Sequence, residues 1–194
     1  MSAYYYFAAT LPSLVQTMAA PPMPLGDFLD RASRFLSPGD IEALRSAALY
    51  VPEDGAPPPA SASSDLLRRY YRWEAALRNE LARLRAGRLQ KQPERHVRPA
   101  DPEWDAMRTA QAAFQAEDPL QGELVIERDR WAFIEALAVN RFFNMDFLMS
   151  YALLLQVLER RARFDADKGR EGYRTVYQSV LDTAEYRDES GDSK

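Results

Sequence analysis

Phe147-Leu148-Met149-Ser150-Tyr151-Ala152-Leu153-Leu154-Leu155-Gln156-Val157-Leu158 is the longest strongly apolar run of the chain, broken only by Ser150 and Gln156. Its twelve residues fall well short of the ~20 that a helix needs to span hydrocarbon. The run therefore reads as a central core helix over about 147–164, buried at its start. Arg160, Arg161 and Arg163 make its end cationic and wet, which suits the negative end of a helix dipole. Immediately upstream, Asn144-Met145-Asp146 reads as a tight break, with Asn144 taking the left-handed conformation that ends one helix and Asp146 capping the next.

Working outward, Pro119 opens a helix expected to run to about residue 143, with Leu124, Trp131, Ile134, Leu137 and Ala138 inward. On it Glu127, Asp129 and Glu135, interleaved with Arg128 and Arg130, read as a solvated face. Asp101-Pro102-Glu103 is a helix-start signal, followed by the stripe Trp104, Met107, Ala110 and Phe114. Over 65–88, Leu66, Tyr70, Trp73, Leu77, Leu81 and Leu84 recur at three- and four-residue steps, the spacing of one helical face.

Near the N-terminus, 4–10 is expected to be helical and 18–24, with Pro21-Pro22-Met23-Pro24, extended. A helix over 27–36 follows. Ser37-Pro38-Gly39-Asp40 then starts a second short helix, with Ser37 as N-cap and Asp40 where a capping-box carboxylate belongs. Residues 53–64, rich in Pro, Ala and Ser, are expected to be a mobile loop, and 93–101 a proline-bounded connector. A last helix is expected over 171–187 and a disordered tail over 188–194. No alternating segment of useful length is present, so the expected class is all-α: a multi-helix bundle in a single helical domain over 1–187.

Composition narrows the function classes. The 194 residues include no Cys and a single His, so disulfides, thiolate metal sites and cysteine nucleophiles are excluded. That residue, His96, lies between Arg95 and Val97 in a proline-bounded stretch with no partner indicated, and reads as an exposed loop histidine. Gly-rich phosphate loops, nucleophile elbows and calcium-loop patterns are missing. The expectation is a protein without catalytic, cofactor-binding or metal-binding residues. The N-terminus, Met1-Ser2-Ala3-Tyr4-Tyr5-Tyr6-Phe7, does not have the form of a secretory signal, and a cytoplasmic location is expected.

Charge is unevenly spread. Over 65–98, Arg68, Arg69, Arg72, Arg78, Arg83, Arg85, Arg88, Lys91, Arg95 and Arg98 face only Asp65, Glu74, Glu80 and Glu94. This local balance of +6 leaves −10 for the rest of a chain whose net charge is −4. Arginine suits carboxylate and phosphate recognition, so Arg68, Arg72 and Arg83 are candidate partner-binding residues. The alternative is a helix whose arginines pair with acids of the same molecule. RNA binding is disfavoured because Tyr70 and Trp73, the aromatics available for base stacking, fall on the inward stripe.

Two blocks of sequence carry a resemblance. Tyr4-Tyr5-Tyr6-Phe7-Ala8-Ala9-Thr10-Leu11-Pro12-Ser13-Leu14 is one. The other is Arg130-Trp131 followed by Asn144-Met145-Asp146-Phe147-Leu148 and Tyr151-Ala152-Leu153-Leu154-Leu155-Gln156-Val157-Leu158-Glu159-Arg160. In these the chain resembles an uncharacterised bacterial family encoded alongside V/A-type rotary ATPases, whose members look like shortened relatives of the ATPase C (d) subunit. The resemblance implies part of that subunit's helical funnel. It also implies a non-catalytic subunit or accessory protein contacting the central stalk or membrane ring, without a small-molecule substrate and touching the membrane only peripherally. A transient assembly or regulatory adaptor of the ATPase is the alternative within that reading, and a helical nucleic-acid-binding module the alternative outside it.

Overall fold

A computed structural model describes residues 3–50, 64–93, 97, 98 and 106–164. The chain divides into two compact units, Met1–Ala162 and Arg163–Lys194, and all the described helices belong to the first. They are α1 (Ala3–Ala9), α2 (Leu25–Ala32), α3 (Pro38–Ser46), α4 (Asp65–Arg88), α5 (Met107–Phe114), α6 (Pro119–Ala138) and α7 (Met145–Ala162), and the described residues contain no strand. The bundle is all-α. No described helix is long and apolar enough to cross a membrane.

The apolar run forms the axis of the bundle, as its composition requires. Along α7 every residue from Leu148 to Leu158 is buried except Gln156, and α2, α3, α4 and α6 all pack against it. Trp131, Leu148, Tyr151, Leu155 and Leu158 sit in one core with Phe7, Phe28, Leu66 and Tyr70. A helix apolar on all sides can be covered only by surrounding it. Gln156 is polar for a reason: its Oε1 accepts from the Leu49 N–H (3.0 Å) and its Nε2 donates to the Ala47 carbonyl (2.8 Å), so it ties the chain leaving α3 to α7. A second, smaller core lies between α4, α5 and α6, where Trp73, Leu77, Ala110 and Ile126 pack and the Trp73 and Phe133 rings stack at 4.7 Å.

Local signals set most boundaries. Ser37 caps α3 through the Asp40 N–H (3.2 Å), but the Asp40 carboxylate takes the Ser37 hydroxyl (2.8 Å) instead of closing the box on the backbone. Asp118 caps α6 at the Gln121 N–H (2.7 Å) with Pro119 in its first turn. Ser64, not singled out in the sequence, caps α4 at the Leu67 N–H (3.2 Å). The helix expected over 27–36 runs instead over Leu25–Ala32.

The expected ending of α6 needs correction. It stops at Ala138 and not near residue 143, and the left-handed residues are Asn140 (φ 62°) and Phe143 (φ 55°), not Asn144. Arg141 terminates the helix by folding back: its N–H donates to the Ala138 carbonyl and its Nε to the Leu137 carbonyl (2.9 Å). The cap of α7 is Asn144, whose Oδ1 accepts from the Phe147 N–H (2.9 Å). Asp146 has other partners, Arg141 and the Ser64 hydroxyl. Of the loop expected over 53–64, only Ser64 is described, and it is the buried cap of α4; the rest of that loop, Trp104, His96, the helix over 171–187 and the tail lie outside the described residues.

Candidate interaction surface

The face assigned to solvent on α6 in part carries deeply buried charge. Glu127 and Arg130 are 2% and 3% exposed, and Glu74 of α4 is 1% exposed. Arg130 grips Glu74 with both Nε and Nη2 (3.0–3.1 Å) and donates from Nη1 to Glu127 Oε1 (2.6 Å). Arg78 donates to Glu74 from α4 itself, and Arg160 brings α7 in through Glu123 and Glu127. The Arg78, Arg130 and Arg160 guanidinium carbons all lie 4.9–5.2 Å from the centre of the Tyr50 ring. Three arginines and three glutamates thus balance in charge while linking three helices. A signal for this was present in the sequence: positions 127 and 130 share the helical face of Trp131 and Ile134.

These charges feel their surroundings in opposite directions. Burial pushes the Glu127 carboxyl above the usual glutamate range, against the pull of Arg130 and Arg160. Burial also works against the charge of Arg130, yet Glu74, Tyr70 and Glu127 hold it above its ordinary value. Among the described residues no group of three His, Asp or Glu side chains is arranged to hold a metal ion. Through Arg130 the cluster ties carboxylates of α4 and α6 together and so cross-links the bundle.

The outward-facing feature lies at the other end of α6. Between α6 and α7 the chain exposes Val139 (63%), Phe142 (67%) and Phe143 (44%), and α1 adds Tyr5 and Tyr6 beside them, the Tyr5 and Phe143 rings being 4.7 Å apart. A groove of about 590 Å³ runs next to this patch, with Leu11, Leu14, Phe142, Phe147 and Leu154 among its walls. The Tyr151 hydroxyl fixes the opposite bank by donating to the Pro12 carbonyl (2.9 Å). A bulky side chain at φ 55° costs roughly 1–2 kcal/mol. Here that conformation accompanies an exposed aromatic ring, so it is not offset by burying the ring in the core.

Arg68, Arg72 and Arg83 all lie on the exposed side of α4, within a stripe about 60° wide given 100° per residue. Arg68 pairs with Asp65 (2.7 Å) and Arg83 with Glu80, both on the same helix. Asp65 also receives Arg141 (3.2 Å), which adjoins Phe142, so the cationic stripe begins where the aromatic patch ends. Tyr70 and Trp73 are buried, as their spacing requires.

A family model described as a protein of unknown function (DUF2764) matches residues 101–183, less than half of the chain. No curated protein and no solved structure matches it. The matched span contains α5, α6 and α7, and with them the exposed loop and one wall of the groove.

Proposed function

We propose that the protein is a non-catalytic subunit or accessory protein of a bacterial V/A-type rotary ATPase, acting by contact with the central stalk or membrane ring. The observation that carries the reading is the groove. The two blocks that resemble the ATPase-associated family are separated by more than a hundred residues, yet Leu11 and Leu14 from the first and Phe147, Tyr151 and Leu154 from the second line one groove, beside the exposed patch where Tyr5 meets Phe143. A contiguous apolar patch on a helical protein is what a partner interface requires. The protein acts in the cytoplasm, reaching the membrane only through its complex, and needs no cofactor.

Co-purification of the tagged protein with the ATPase in mild detergent, with stoichiometry, tests this. A fixed ratio in the assembled enzyme is expected of a subunit, while substoichiometric recovery restricted to partial assemblies would make it a transient adaptor. Absence of ATPase subunits from a detergent extract in which the enzyme is intact would overturn both.

A further inference from the structure

We infer that the groove between residues 11–14 and the α6–α7 loop is occupied by a second copy of this chain, in a two-fold dimer in which Phe142 of each copy enters the groove of the other. The inference goes beyond the ATPase reading and stands independently of it; because the dimer covers the face proposed to meet the ATPase, the two associations compete. Shape is the first argument. Between the left-handed residues Asn140 and Phe143, Arg141 folds back onto the end of α6 while Phe142 projects at the rim of the groove. The groove itself, about 590 Å³ with Leu11, Leu14, Phe147 and Leu154 as apolar walls, has room for an aromatic side chain. An aromatic knob beside an apolar hole on one face is self-complementary, since a two-fold axis gives each knob the other copy's hole and forms every contact twice. The left-handed backbone at Phe143 keeps the loop's rings outward at a conformational cost, which burial against a second copy offsets.

Extent is the second argument. Tyr5, Tyr6, Val139, Phe142 and Phe143 are each 44–67% exposed, which for side chains of this size amounts to roughly 500 Å². With the groove walls added, the face approaches the ~800 Å² per partner of a stable interface. Charge is the third. Of the charged residues lining the groove, Arg141 is engaged by Asp65 and Asp146, while Glu135 is exposed and has no ion-pair partner among the described residues. Arg31, also exposed and without an ion pair among the described residues, lies near the Tyr151 wall: burial pushes the Tyr151 hydroxyl up to about 12, and the Arg31 charge opposes that rise. These two charges are equal and opposite. A uniformly acidic or basic partner gains from one and loses to the other, whereas a second copy brings one of each.

The test is sedimentation equilibrium of the whole protein over a wide concentration range at low and high salt, with circular dichroism to establish that each variant folds. A monomer–dimer equilibrium is expected, changing less than about threefold with salt because apolar contact carries the affinity. Phe142→Ser, on the knob, and Leu14→Ser, on the hole, should each weaken it at least about tenfold, while Phe142→Leu keeps it. Arg128→Gln, on an exposed arginine away from the groove, should leave it unchanged. A chain that stays monomeric at every concentration, a dimer untouched by Phe142→Ser and Leu14→Ser, or one that dissociates steeply with salt would overturn the proposal. So would a monomer that sediments with vesicles of phosphatidylcholine and phosphatidylglycerol, which would make the face a membrane contact. A monomer that co-purifies with the ATPase refutes only the dimer, and a dimer that does not co-purify refutes only the ATPase reading.

Discussion

Glu127 and Leu155 show how differently two buried side chains stabilise the same bundle. Leu155 is fully buried on the central helix, so Leu155→Ala loses apolar transfer energy and leaves a cavity, an expected cost of about 2–5 kcal/mol; an unchanged denaturation midpoint would contradict its place in the core. Glu127 instead holds a charge that burial disfavours, and its Oε2 has no hydrogen-bond partner. Because its carboxyl titrates above the unfolded value, the folded state retains the proton longer than the unfolded chain. Its contribution to stability is thus greatest below the ordinary glutamate pKa and is lost as pH rises through the folded value. Glu127→Gln mimics the protonated form, so urea midpoints of the variant should improve relative to the parent between pH 4 and 8. A difference that does not vary with pH, or that tilts the other way, would show that the arginines outweigh burial. Arg130→Ala removes the shared partner of two buried carboxylates and should cost about 3–5 kcal/mol at neutral pH.

At the scale of elements, legibility followed the apolar signal. The helices α4 and α7 were readable from their apolar residues and not from their caps: the 65–88 spacing matches Asp65–Arg88, and the apolar run fell inside Met145–Ala162. The end of α6 was not readable because it is set by Arg141 reaching back to Leu137 and across to Asp65 and Asp146, contacts that no local pattern encodes. The inward turn of Glu127 and Arg130 had one signal, their shared face with Trp131 and Ile134, but charged residues on a helix ordinarily mark its wet face, and the partners that balance them, Glu74 and Arg160, come from distant helices. Close approach of elements gives a further prediction. A Cβ at Gly122 would lie 2.8 Å from the Ala113 carbonyl oxygen, so Gly122→Ala must push α6 off α5 and should lose about 1–3 kcal/mol. Gly87 in the last turn of α4 has open space around it, and Gly87→Ala should gain about 0.5–1 kcal/mol. Thermal melts of the two variants moving in the same direction would contradict this account of the α5–α6 contact.

For the molecule as a whole, the interior charge is internally balanced while the outer surface pairs an aromatic patch with a cationic helix. The class of fold could be read from the sequence, and the separate pieces of the surface were visible as an aromatic N-terminus and an arginine-rich stretch. Their meeting was not, because Tyr5 and Phe143 are brought together only by the packing of α1 near the α6–α7 loop. The central claim is that this joint surface, and not the arginine stripe alone, holds the partner. It is tested most directly by measuring association and dissociation rates against the purified central stalk, for the parent, for Phe142→Ser with Phe143→Ser, and for the Arg68→Gln, Arg72→Gln, Arg83→Gln triple variant. The account predicts that the aromatic variant dissociates much faster at any salt concentration, and that the triple variant associates more slowly at low salt only. An aromatic variant with parental rates, circular dichroism confirming its fold, would contradict it.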